Sequence, residues 1–77
     1  MANPDTRKYS SAEVGIRLKL YWEKSGKTQT ELAVELGISQ PLLYQIMNDD
    51  RSPTESVLRL LRMKVVERYY VEIGRTN

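Results

Sequence analysis

The side chains that most often carry catalysis are missing from this chain. It has no histidine and no cysteine, which removes the commonest general base, the commonest metal ligand and any thiolate or disulfide. Two carboxylates could still drive a hydrolysis, but Asp49 and Asp50 are sequence neighbours in an expected loop, not a pair facing across a cleft. No catalytic residue, metal ligand or cofactor is therefore expected. What remains is hydrogen-bonding chemistry, from the amides of Gln29, Gln40, Gln45 and Asn48, the phenol of Tyr44, and scattered lysines and arginines. An amide offers both a donor and an acceptor, so such groups recognise the polar edges of a partner without reacting with it.

The framework that holds them must be small. The 77 residues allow one domain, and a domain of that size buries only about 60% of its unfolded surface, so association is an expected source of further stability. The formal charge is +2. Residues 1–52 are neutral, with Arg7, Lys8, Arg17, Lys19, Lys24, Lys27 and Arg51 balanced by Asp5, Glu13, Glu23, Glu31, Glu35, Asp49 and Asp50. The excess lies downstream. A nucleic-acid partner is permitted by this charge but not demanded by it. No apolar run approaches the ~20 residues of a membrane span, and no signal-peptide core opens the chain, so no membrane partner and a cytoplasmic location are expected.

Helix signals follow one another closely. Residues 1–9 contain Pro4 and no periodicity, and read as a flexible N-terminal arm. Ser10 with Glu13 forms a capping box that opens a helix from about Ser11 to Ser25, closed by Gly26. Its inward stripe is Val14, Leu18 and Tyr21. Thr28 and Glu31 repeat the box for a second helix, which ends at Gly37 and buries Leu32, Ala33 and Leu36. Ser39 caps a third, with Pro41 tolerated in the first turn and Leu43, Ile46 and Met47 facing inward. Ser52 and Glu55 make a third box, with Pro53 at the first position of a long helix over residues 53–73. No alternating apolar run bounded by turn residues suggests a strand. The expected fold is all-α, four to five helices, with the domain over residues 10–74 and a tail at 75–77.

Within this frame, Thr28-Gln29, Glu31-Leu32-Ala33 and Leu36-Gly37-Ile38-Ser39 resemble the helix-turn-helix of Cro/repressor proteins (the lambda-repressor-like, or XRE, family). The likeness covers about residues 14–62. Ala33 matches the small residue at the helix crossing, Gly37 the positive-φ turn, Ile38 the turn plug, and Leu43 and Ile46 the buried pair of the recognition helix. The resemblance implies a bihelical unit over residues 29–48 whose third helix enters the major groove of double-stranded DNA. It implies that Gln29 holds a phosphate and braces Gln40, and that Gln40 reads a base, its amide being suited to adenine N6 and N7. Gln45 and Tyr44 become the next readers, with Pro41 offering apolar contact to a thymine methyl. Lys27, Thr28, Ser39, Asn48 and Arg51, and Arg7 and Lys8 from the arm, are the expected backbone contacts.

The chain also departs from the family. Lys27 stands where an apolar residue is usual. Trp22 and Met47 replace a frequent buried Arg–Glu pair and avoid its desolvation. Asp49 and Asp50 replace a glycine and a basic residue, and would repel phosphate if they faced it.

A helix over residues 53–73 would carry two apolar stripes, Leu58-Leu61-Val65-Tyr69 and Met63-Val66-Tyr70, with Ile73 between them. One core cannot absorb both, so a homodimer through Met63, Val66, Tyr69, Tyr70 and Ile73 is expected. Together these readings describe a Cro-like repressor of phage or mobile-element type, dimeric on an inverted-repeat operator, in a bacterial or phage-infected cell. The alternative is a helix-turn-helix module that binds a protein partner, as an antitoxin or anti-repressor does.

Overall fold

Each of the first three helices starts where a side-chain oxygen can take an orphan backbone N–H. In the computed structural model, which describes residues 7–73, α1 spans Ser11–Ser25, α2 Gln29–Leu36 and α3 Gln40–Met47. Ser10 Oγ accepts from the Glu13 N–H at 3.2 Å, and Glu13 Oε1 accepts from the Ser10 N–H at 2.8 Å. Thr28 and Glu31 exchange the same two bonds at 3.1 and 2.8 Å. Ser39 Oγ accepts from Leu42 N–H at 3.2 Å. Losing such a cap costs about 1 kcal/mol. At the other end of α2, Gly37 takes φ 72°, which lets Ile38 N–H reach Ala33 C=O at 3.0 Å and lays Ile38 against the core.

The fourth helix differs from expectation at both ends. α4 runs only Glu55–Leu61 and is capped by Thr54, whose Oγ1 accepts from Val57 N–H at 3.3 Å, not by Ser52. Pro53 therefore precedes the cap instead of opening the helix. At Arg62 the backbone turns left-handed, φ 59°, and the long helix over residues 53–73 does not exist. In its place an antiparallel hairpin pairs β1, Met63–Val66, with β2, Tyr69–Glu72. The fold is thus mostly helical with a small sheet, not all-α.

The physical reason lies in side chains that a helical stripe count ignores. Val65, Val66, Tyr69, Tyr70 and Val71 are β-branched or aromatic, lose rotamer freedom against a helical turn, and fit a pleated surface. The connecting turn carries no Asn-Gly or Gly; Glu67 itself adopts φ 58°, so the usual hairpin signal is absent. A tertiary contact adds to the pairing. Tyr9 and Tyr70 exchange backbone hydrogen bonds at 2.7 and 2.8 Å, making Tyr9 a third rung on the far side of β2. Because Tyr70 turns its backbone groups to Tyr9, Tyr69 and Val71 turn theirs to β1, and the backbone of Val65 faces the open edge.

The core joins all six elements. Val14 and Leu18 of α1 meet Leu32, Ala33 and Leu36 of α2, and Leu43, Ile46 and Met47 of α3. Val57 and Leu58 of α4, Met63 of β1 and Tyr70 of β2 complete it. Tyr21 and Trp22 pack at its margin. One position is set by lack of a side chain. A Cβ on Gly15 would stand 2.5 Å from the carbonyl oxygen of Ile46, so α1 and α3 can cross this closely only with glycine there.

Met63 and Tyr70, expected in a dimer face, are core residues at 2% and 9% exposure. The helical face of which they were part is absent. Of the other three, Val66 and Tyr69 are half-buried in the hairpin and Ile73 is exposed beside it.

Candidate nucleic-acid interface

The buried side of α3 decides which of its residues can meet a partner. At about 100° per residue, Leu42, Leu43, Ile46 and Met47 share one arc, and Gln40, Tyr44, Asn48, Pro41 and Gln45 fill the opposite one. Leu43, Ile46 and Met47 are buried, and Leu42 packs against them. Gln40, Pro41, Tyr44 and Asn48 are exposed, and Gln45 sits half-buried at the margin. Four of these five offer a hydrogen bond and none carries a charge.

Gln40 is held. Thr30 Oγ1, in the first turn of α2, lies 3.1 Å from Gln40 Oε1. Gln29, which the resemblance named as the brace, does not make this bond. It lines instead a cleft of about 310 Å³ with Lys19, Trp22, Tyr44, Met47 and Asn48. The cleft lies where α1, α2 and α3 meet, beside the α2 N-terminus, whose unpaired N–H groups favour an anion. Lys19 supplies its positive charge. Asn48 spends one of its two amide N–H donors on Tyr44 C=O at 2.8 Å and keeps the other. Trp22 and Met47 line the same cleft. The indole Nε1–H of Trp22 is buried with no partner among the described residues.

Of the two aspartates, Asp49 is tied to α1. Asp49 takes the left-handed conformation, φ 62°, and closes α3 as a glycine would. Its N–H reaches Ile46 C=O at 3.1 Å, and Asp50 N–H reaches Gln45 C=O at 2.7 Å, the paired bonds of a Schellman ending. Asp49 Oδ1 then accepts from Ser11 Oγ at 2.7 Å, next to the N-terminus of α1, where negative charge is favoured. The carboxylate is a tie between α3 and α1. Asp50 is exposed.

The expected backbone contacts fall into three groups. The hydroxyls of Thr28 and Ser39 serve as caps, and a hydroxyl that accepts can still donate outward. Arg51 is exposed just past α3. Lys27 is paired: its ammonium bonds Glu35, and that bond holds its pKa above the ordinary lysine value of 10.5. The basic residues of the arm are also engaged. Arg7 lies 4.7 Å from the Tyr9 ring centre and 3.5 Å from Glu13, and Lys8 lies 4.8 Å from the Tyr69 ring. Arg17 stacks on Tyr9 at 5.0 Å and pairs with Glu72. Residues 7–9 are thus bound to the sheet and to α1; residues 1–6 lie outside the described residues.

Sequence reasoning missed Thr30 and Lys19. Neither belongs to a local motif, because each is placed by how two helices cross.

Two short helices joined by a glycine turn, the second presenting a polar face clear of the core, define a helix-turn-helix domain. The helix-turn-helix domain family matches residues 13–63, and the chain belongs to it. No curated protein and no solved structure matches the chain. The match ends at Met63, so nearly all of the hairpin lies beyond it. No helix of the described residues is long and apolar enough to cross a membrane.

Proposed function

We propose that this is a sequence-specific DNA-binding transcriptional regulator of the Cro/repressor type, with α3 in the major groove. The observation that carries the reading is the face of α3: Gln40, Tyr44, Gln45 and Asn48 stand clear of a buried opposite side, and a cleft lined by Lys19 and Gln29 lies at its flank. Amides and a phenol match base edges, while the cleft suits a backbone phosphate. The bond from Ser11 directs the Asp49 carboxylate to the start of α1.

The protein acts, on this reading, as a dimeric repressor on an inverted repeat, in a phage or mobile element. Two copies would join through the open edge of β1. There Val65 presents its backbone and a side chain 54% exposed, and an antiparallel partner strand can add to such an edge. A second copy raises affinity through effective concentration, which a domain of formal charge +2 needs more than a strongly basic one.

The test is selection of bound sequences from a random duplex library with the wild type, Gln40→Ala and Gln45→Ala. An enriched palindrome, with about 1–3 kcal/mol lost at one base position per variant, is expected. No enrichment by folded protein would reject DNA reading and leave the protein-binding module. Sedimentation of the wild type and Val65→Lys reports the dimer; a wild type that stays monomeric at high concentration excludes it.

A further inference from the structure

The bond between Thr30 and Gln40 joins two oxygens, and only one of them bears a proton. Gln40 Oε1 is a carbonyl oxygen, so the Thr30 hydroxyl donates. Thr30 is the second residue of α2. A helical threonine commonly gives its proton to the carbonyl three or four residues back, but here those residues, Lys27 and Gly26, precede the helix. The hydroxyl therefore has Gln40 as its acceptor. The partial positive charge of the α2 N-terminus favours the same arrangement, with the amide oxygen turned toward α2. The amide NH₂ is then turned away from α2, on the exposed arc of α3.

We propose that Thr30 is a specificity-determining positioning residue: it fixes the Gln40 amide so that Gln40 reads DNA as a donor, selecting guanine over adenine. The proposal rests on the DNA-binding reading above and refines it. Adenine presents one acceptor and one donor in the major groove, N7 and N6–H, and a glutamine pairs with both only if its oxygen and its nitrogen reach the base together. With the oxygen turned toward α2 by Thr30, it is not presented to adenine N6–H alongside the NH₂ group. Guanine presents two acceptors, N7 and O6, and the NH₂ group has two hydrogens to meet them. Cytosine offers only a donor and is rejected. On this proposal guanine, not adenine, is the base expected opposite Gln40.

The experiment is duplex selection with the wild type, Thr30→Val, Thr30→Ser, Gln40→Ala and the double variant Thr30→Val with Gln40→Ala. The position that loses its preference in Gln40→Ala identifies the base read by Gln40. The wild type and Thr30→Ser should hold guanine there. Thr30→Val keeps the side-chain shape but frees the amide, and the guanine-to-adenine ratio should fall about tenfold, within the range of one base contact. The double variant should match Gln40→Ala alone. Adenine preferred by the wild type, or an unchanged ratio in Thr30→Val, overturns the proposal while leaving DNA binding intact. Failure of every folded variant, wild type included, to enrich any sequence overturns the DNA-binding reading and this proposal with it.

Discussion

The helix-turn-helix and the hairpin are built on different kinds of instruction. Every end of α2 and α3 is written in a residue next to it: Thr28, Gly37, Ser39, and Asp49 in the place of a glycine. The hairpin has almost no such writing. Its strands are four residues each, its turn lacks glycine, and its outer rung is Tyr9, more than fifty residues earlier in the chain. The first region specifies itself locally, and the second is specified by what it packs against. A motif of the first kind can be recognised from a short stretch of sequence; one of the second kind needs the whole domain.

The sharpest way to break that contrast is to remove one buried side chain from each region. Leu43 of α3 is fully buried, and Tyr70 of β2 is the hairpin residue that closes the core. Leu43→Ala should cost about 2–5 kcal/mol and Tyr70→Ala about 3–5 kcal/mol, cavity included. A domain this size has only about 5 kcal/mol in hand. If the hairpin is an integral part of the fold, urea melts followed by far-ultraviolet circular dichroism will show both variants largely unfolded as a whole. A Tyr70→Ala variant that keeps the wild-type midpoint would mean the hairpin is an appendage.

Gly15→Ala comes next, and two effects oppose each other there. Alanine is the better helix former by about 1 kcal/mol, but its Cβ would lie 2.5 Å from the backbone carbonyl of Ile46. A backbone oxygen cannot swing aside as a side chain can, and overpacking costs about 1–3 kcal/mol. The net change is expected to be destabilising, by up to about 2 kcal/mol. A raised thermal midpoint would show that α1 and α3 have room to separate.

Asp49 tests whether a helix end written in an unusual residue is still local. Asp49→Ala forfeits the Ser11 bond and keeps a left-handed backbone, a loss of about 1–2 kcal/mol. Asp49→Gly also forfeits the bond but relieves the backbone, and should stay within about 0.5 kcal/mol of the wild type. Equal losses in the two variants would assign the whole effect to the hydrogen bond with α1.

How much of this was legible beforehand follows the same division. The starts of the first three helices, the glycine turn and the buried faces of α2 and α3 could be read from residue types, because caps and periodicity act over three or four positions. The exposed arc of α3 followed from its buried one. The hairpin segment reads as helix because Leu58, Leu61, Val65 and Tyr69 also satisfy a helical period, and nothing near Arg62 announces a left-handed stop. Thr30 and Lys19 were invisible for another reason: their partners lie across a helix crossing whose angle no short segment encodes. Gly15 belongs with them, since its meaning is the distance to Ile46.

Two lysines turn the division into a measurement on the interface. Lys19 lines the cleft with Gln29 and Asn48, whereas Lys27 is already paired with Glu35. Lys19→Met should lower the slope of log affinity against log salt by about 1, the signature of one lost phosphate contact. Lys27→Met should leave that slope unchanged, although a motif-based reading places Lys27 among the backbone contacts. Its effect belongs to folding and is the smallest of the set, because the pair is exposed. Glu35 raises the folded pKa of Lys27 above 10.5, so the folded state holds that proton more tightly than the unfolded chain. The contribution is therefore fully present below pH 10.5 and is lost as pH rises through the folded pKa. The stability difference between the wild type and Lys27→Met, from parallel urea melts, should stay level from neutral pH to about pH 10 and shrink beyond it. A difference that grows with pH would reverse the sign and show that Glu35 is not its partner.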